Sequence, residues 1–144
     1  MPLLDLRPAF FKSPERLRRN RTRAKAGLTC DGVRYRGLSV PASSRIGFDL
    51  DAAFQFFTVH VGVLDGGRGP VRFKILGDGK VLASTPPLFP GAEPVTLGVS
   101  LEHVLLLELV TIAEGSGGST GGWLEGELES VPGRNLAEFR AVEA

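Results

Sequence analysis

Near the end of this 144-residue chain the only tryptophan, Trp123, is followed closely by two carboxylates, Glu125 and Glu127. Side chains alternate between faces along an extended strand. Trp123, Glu125 and Glu127 are therefore expected on one face, with Leu124, Gly126 and Leu128 turned inward on the other. An aromatic ring beside carboxylates is chemistry for a sugar: the ring covers the apolar C–H face while the acids bond the hydroxyls. The same position equally suits a tryptophan packed on the rim of a core. As a glycosidase pair the two glutamates are unconvincing, because neighbours at i, i+2 on an exposed strand are usually just solvated.

Other residues offer less. Gly117-Gly118-Ser119-Thr120-Gly121 matches the G-x-S-x-G string, but a nucleophile elbow needs a strand before it and a helix after it. Here the string lies in a glycine/serine loop that precedes a strand. His60 and His103 are the only histidines and Cys30 the only cysteine, which excludes an intramolecular disulfide and a cysteine-based zinc cluster and argues against catalytic zinc. Gly66-Gly67-Arg68-Gly69-Pro70 lacks the Lys-Ser/Thr and following helix of a phosphate-binding loop. No enzymatic centre and no metal site are expected.

The elements that must position these residues read as strands. Nineteen glycines, ten prolines and an apolar set led by Phe, Val and Leu favour many turns over long helices. Phe54 to Leu64 is the longest strand-like run, with Phe57, Val59, Val61 and Val63 on one side and Phe56, Thr58, His60 and Gly62 on the other. Val71 to Ile75 alternates apolar with basic, and Ile46, Phe48 and Leu50 alternate with Arg45, Gly47 and Asp49. Asp31-Gly32 and Asp78-Gly79 are hairpin turns, since a type I′ turn needs positive φ at both central residues. Leu3 to Leu6 is a short strand candidate, with Phe10 and Phe11 buried against the body. Tyr35 to Val40, Val95 to Val99, His103 to Ile112 and Trp123 to Leu128 complete eight or nine strands. Asn135 is expected to cap a short helix over Leu136 to Val142.

The net charge of +1 hides an asymmetry: residues 1–36 hold ten of the 17 Lys/Arg and only three of the 16 Asp/Glu. Lys12 to Lys25 carries seven of those basic residues and no aromatic to stack a base. A solvated connecting segment is therefore favoured over a nucleic-acid or anionic-membrane arm. No apolar run reaches the roughly 20 residues of a membrane-spanning helix, and no signal peptide is visible in this chain.

An ordered series of segments is similar to the NPCBM/NEW2 family, the novel putative carbohydrate-binding module. It comprises Tyr35-Arg36-Gly37-Leu38-Ser39-Val40, Ser44-Arg45-Ile46 with Phe48-Asp49-Leu50, and Phe57 to Val63. Val71 to Leu82 and Trp123 to Leu128 complete it. The resemblance spans about residues 30 to 129. It implies an all-β jelly-roll β-sandwich of about eight or nine mostly antiparallel strands, galactose-binding or discoidin-like. Residues 1–29 would then form an N-terminal strand and basic segment packed on the domain, and residues 130–144 a tail or short helix.

The resemblance further implies a non-catalytic, extracytoplasmic, monomeric class of module, excised from a larger protein, that binds a galactose-type glycan through loops at one end of the sandwich. Trp123 would be the platform, with Arg45, Asp65, Glu125 and Tyr35 as hydrogen-bonding partners. Some members hold a structural calcium. Here the acidic run that accompanies it reads Ser119-Thr120-Gly121-Gly122-Trp123-Leu124-Glu125, with Pro41 where relatives often have histidine, so no cofactor is expected. The alternative is a structural or protein-interaction sandwich that has lost its sugar site.

Overall fold

The structure is a computed structural model, and it describes residues 1–12, 24–115 and 118–140. Ten strands form two antiparallel five-stranded sheets. They are β1 (Phe10–Lys12), β2 (Ala24–Cys30), β3 (Val33–Pro41), β4 (Ser44–Asp49), β5 (Phe54–Val63), β6 (Val71–Gly77), β7 (Lys80–Ser84), β8 (Val95–Ser100), β9 (Leu106–Ala113) and β10 (Thr120–Ser130). One sheet runs β1-β4-β9-β6-β7 and the other β2-β3-β10-β5-β8. This is the expected all-β sandwich.

Alternating side chains from both inner faces fill the space between the sheets. Phe57, Val59 and Val61 of β5 meet Phe73 and Ile75 of β6, Ile46 and Phe48 of β4, and Leu107 and Leu109 of β9. Phe56, Thr58 and His60 point outward, as the period-2 pattern of β5 requires. β9 is the middle strand of its sheet, which explains its continuous apolar run. Both Asp-Gly turns have the expected backbone: φ is 51° and 76° at Asp31 and Gly32, and 50° and 83° at Asp78 and Gly79.

Four expectations change. Leu3–Asp5 is a 3-10 turn rather than a strand, because Leu3 and Leu6 insert into the core from outside the ladder. Phe10 and Phe11 form an edge strand and are half-buried. β9 begins at Leu106 rather than His103, which has φ 63° and lies in the turn before it. The C-terminal helix shrinks to one 3-10 turn, Ala137–Phe139, where Asn135 Oδ1 accepts the Ala137 N–H at 3.0 Å. Of the basic segment, residues 13–23 lie outside the described residues, as do residues 141–144.

Candidate functional site

The site grows from the β2–β3 hairpin. In hydrogen-bonding order β3 and β10 separate β2 from β5, yet the hairpin tip lies against the C-terminal end of β5. The hairpin must therefore bend across the outer face of its sheet. Gly37 permits the bend, because a Cβ there would run into the Trp123 carbonyl and the Leu124 backbone of β10. Gly62 permits the landing: a Cβ on it would stand 2.7 Å from Cys30 Sγ.

Several contacts clamp the tip. Asp65 Oδ1 accepts the Asp31 N–H at 3.0 Å and Oδ2 the Gly32 N–H at 3.2 Å, while the Asp65 N–H donates to the Thr29 carbonyl at 2.9 Å. The Cys30 thiol is 3.3 Å from the Val63 carbonyl. Cys30, Leu64 and Leu124 form a small apolar cluster under the hairpin, joined by Leu28 and Tyr35. Burial, and then the charges of Asp65 and Asp31, push the Cys30 thiol pKa up, because each disfavours the thiolate.

Beside this clamp is an open cleft of about 320 Å³, lined by Asp31, Val33, Tyr35, His60, Glu93, Pro94 and Thr96. Its volume is at the lower end of small-molecule sites, roughly 300–1,000 Å³. Val33 and Tyr35 are two apart on β3 and share a side, while His60 on β5 stands directly opposite Thr96 on β8. The His60 Nδ1 and Thr96 Oγ1 share a hydrogen bond at 2.7 Å. The cleft thus joins a phenol, an imidazole, a hydroxyl and two carboxylates to the apolar surfaces of Val33 and Pro94.

The residues singled out from the sequence divide into two groups. Tyr35 lines the cleft, Asp65 holds the tip behind it, and the Glu125 Oε1 accepts the Arg36 N–H at 3.1 Å next to Tyr35. The other two lie elsewhere. Arg45 is on the outer face of the opposite sheet, where its Nη1 meets Glu108 Oε2 at 3.0 Å.

Trp123 corrects the expectation of an exposed platform. It is 0% exposed, edge-on to Phe73 with ring centroids 5.3 Å apart, and its indole Nε1 has no hydrogen-bond partner among the described residues. The cause is a bulge. The register of β10 against β5 shifts between Leu124 and Glu127, with Glu125 at φ 50°. The extra residue reverses the alternation, so Trp123 points inward while Glu125 and Glu127 are exposed.

Ser119 of the G-x-S-x-G string is also accounted for. Its Oγ donates to the Gly69 carbonyl at 2.6 Å and accepts the Arg68 and Gly69 N–H groups at 3.1 and 2.9 Å. Strand β10 follows it directly, where a nucleophile elbow needs a helix. Among the described residues no group of three or more His, Cys, Asp or Glu is placed to hold a metal ion.

Sequence reasoning missed Asp31, Val33, His60, Glu93, Pro94 and Thr96 as cleft residues. The available signals were the Asp31-Gly32 turn and a histidine on the polar face of the longest strand. Nothing local marked Glu93 or Thr96, which reach the site only through the β5–β8 pairing.

Comparison with known proteins supplies a frame. A family model described as the NPCBM/NEW2 domain matches residues 5–129. No curated protein matches the sequence. Among solved structures, the CBM51-2 and INT domains of Clostridium perfringens ZmpB superpose with a TM-score of 0.75 at 19% identity, covering 94% of this chain and 32% of that one. The CBM51 of Clostridium perfringens GH95, solved in complex with methyl-galactose, superposes at 0.74 and 17% identity, covering 89% and 98%. The CBM51-2 of ZmpB in complex with GlcNAc, with its INT domain, gives 0.73 and 18%, covering 92% and 32%. The chain therefore spans about a third of these two ZmpB chains. At these identities the likeness shows a shared fold.

Proposed function

The chain belongs to the NPCBM/NEW2 domain family, and from that premise we propose that it is a non-catalytic carbohydrate-binding module whose ligand seats in the cleft beside the β2–β3 hairpin. The observation that carries this reading is the cleft lining itself. Tyr35 offers a half-buried aromatic ring, and His60, Thr96, Asp31 and Glu93 offer donors and acceptors from three different parts of the fold. That combination of one ring and convergent polar groups is how proteins hold the mixed surface of a sugar.

A galactose-type sugar is the first ligand to test, because a structural neighbour was solved with methyl-galactose. Asp65 and Glu125 act behind the cleft by fixing the backbone that carries Asp31 and Tyr35. Arg45 and Trp123 take no part in this reading. An open cleft with a single ring is expected to bind weakly, around 1 mM, or about 4 kcal/mol. Isothermal titration with methyl-galactoside, GlcNAc and glucose tests it. Binding that is lost in Tyr35→Ala supports the reading, and the absence of binding to all three at millimolar concentration ends it.

A second reading, a structural or protein-interaction sandwich, draws support from one observation. The carboxylates of Asp65 and Glu125 are both spent on backbone N–H groups, as scaffold rather than as ligand contacts. It predicts that Tyr35→Ala leaves every sugar titration unchanged.

A further inference from the structure

The charge of the cleft narrows the ligand class, an inference that rests on the glycan-binding reading above. Of its seven lining residues Asp31 and Glu93 are acidic, and none is lysine or arginine. The two acids approach from separate segments, Asp31 from the β2–β3 turn and Glu93 from the loop before β8. Two carboxylates near the hairpin are already engaged: Asp65 on Asp31 and Gly32, and Glu125 on Arg36. By contrast the side chains of Asp31 and Glu93 have no hydrogen-bond or ion-pair partner among the described residues.

Two unpaired like charges at one cleft repel each other, and a cation between them relieves that repulsion. A neutral sugar would leave both charges uncompensated, and a uronic or sulfated sugar would add a third. We infer that the cleft selects an amino sugar whose amine is free and protonated, seated with its ammonium between Asp31 and Glu93 and its ring against Tyr35. Acetylation of that amine removes the charge and turns a donor cation into a bulkier neutral amide.

The test uses the whole chain and three glycosides of matched stereochemistry: methyl-galactoside, methyl-galactosaminide with a free amine, and its N-acetyl derivative. Titrations are run below about pH 7, where such an amine is charged. The free amine is expected to bind about fivefold more tightly than either neutral sugar, the scale of an exposed ion pair. That advantage should shrink as salt is raised and vanish in the Asp31→Asn/Glu93→Gln variant. Both residues are exposed, and asparagine tolerates the left-handed backbone at position 31, so the variant keeps the fold. An unchanged circular-dichroism spectrum and thermal melt of the variant report this directly.

An N-acetyl sugar that binds as well as the free amine overturns the inference, as does an advantage that survives in the double variant. Methylamine competing as effectively as the glycoside also overturns it, since the cleft would then read charge alone. Neutral sugars binding with no preference for the amine defeats this inference and leaves the glycan reading intact. Failure of all three glycosides defeats both.

Discussion

The carboxylate of Asp65 holds the backbone of Asp31 across the face of a sheet, accepting the N–H groups of Asp31 and Gly32 at 3.0 and 3.2 Å. The two residues are 34 positions apart in sequence. This clamp decides where the hairpin tip stands, and so where Asp31, Val33 and Tyr35 face.

Asp65→Ala strips both N–H groups of their partner. A loss of about 1–2 kcal/mol in unfolding free energy is expected, since charge-assisted bonds to backbone are the stronger kind. Sugar affinity should fall too, although Asp65 does not line the cleft. Urea denaturation and calorimetric titration of the same variant check the two effects. Affinity that stays at the wild-type value would show that the tip does not need its clamp.

Trp123→Ala is expected to cost about 3–5 kcal/mol, the range for emptying a large aromatic site in a core. The indole is enclosed and packed edge-on against Phe73. Its fluorescence should therefore be blue-shifted, poorly quenched by iodide, and unchanged by saturating methyl-galactoside. Quenching by the sugar would contradict its place inside the sandwich.

Gly62→Ala forces a Cβ to 2.7 Å from Cys30 Sγ and should destabilise the protein by about 1–3 kcal/mol. Adding Cys30→Ala removes the obstructing sulfur while keeping the Cβ. The double variant should then be less destabilised than the sum of the two single changes, a coupling that a double-mutant cycle measures. Strict additivity would mean that the hairpin lifts away without cost.

The Cys30 thiol titrates above its ordinary range because of burial first and then Asp65 and Asp31. The folded state thus keeps its proton to higher pH than the unfolded chain does. The resulting stability is fully present below the unfolded thiol value of about 8.5 and is lost as pH rises through the folded value. Wild-type stability should decline above about pH 8.5 more steeply than that of Cys30→Ala. Thermal melts across that range decide it, and parallel curves would remove the thiol as the cause.

Arg45→Ala leaves Glu108, a mostly buried carboxylate, without its cation. A cost of about 1–2 kcal/mol is expected, because losing one partner exposes the desolvation cost of the other. Sugar affinity should not change, since the pair sits on the sheet opposite the cleft. A drop in affinity without a drop in stability would return Arg45 to the site.

Much of the fold could be read in the sequence because it is encoded locally. Alternation along Phe54 to Leu64 identifies β5 and its buried face from neighbours alone. Asp31-Gly32 and Asp78-Gly79 announce two hairpins because few other residue pairs tolerate two successive positive φ angles. Where tertiary contacts override the local pattern, that reading fails. At Leu3–Asp5 the gain from burying Leu3 outweighs pairing in a ladder.

The candidate site follows the same division. The family pattern pointed to Tyr35 and to the segment that carries Asp65, and strand alternation beside Trp123 singled out Glu125. One extra residue at Glu125 then moved Trp123 from the expected sugar face into the core, because the two-residue period of a strand reverses with every single-residue shift. Asp31, His60, Glu93 and Thr96 meet only because β5 pairs with β8 and the β2–β3 hairpin crosses the sheet on Gly37 and Gly62. Alternation and turn chemistry are properties of adjacent residues and were determined by the sequence directly. The cleft depends on which distant backbones can approach, and that was decided by packing.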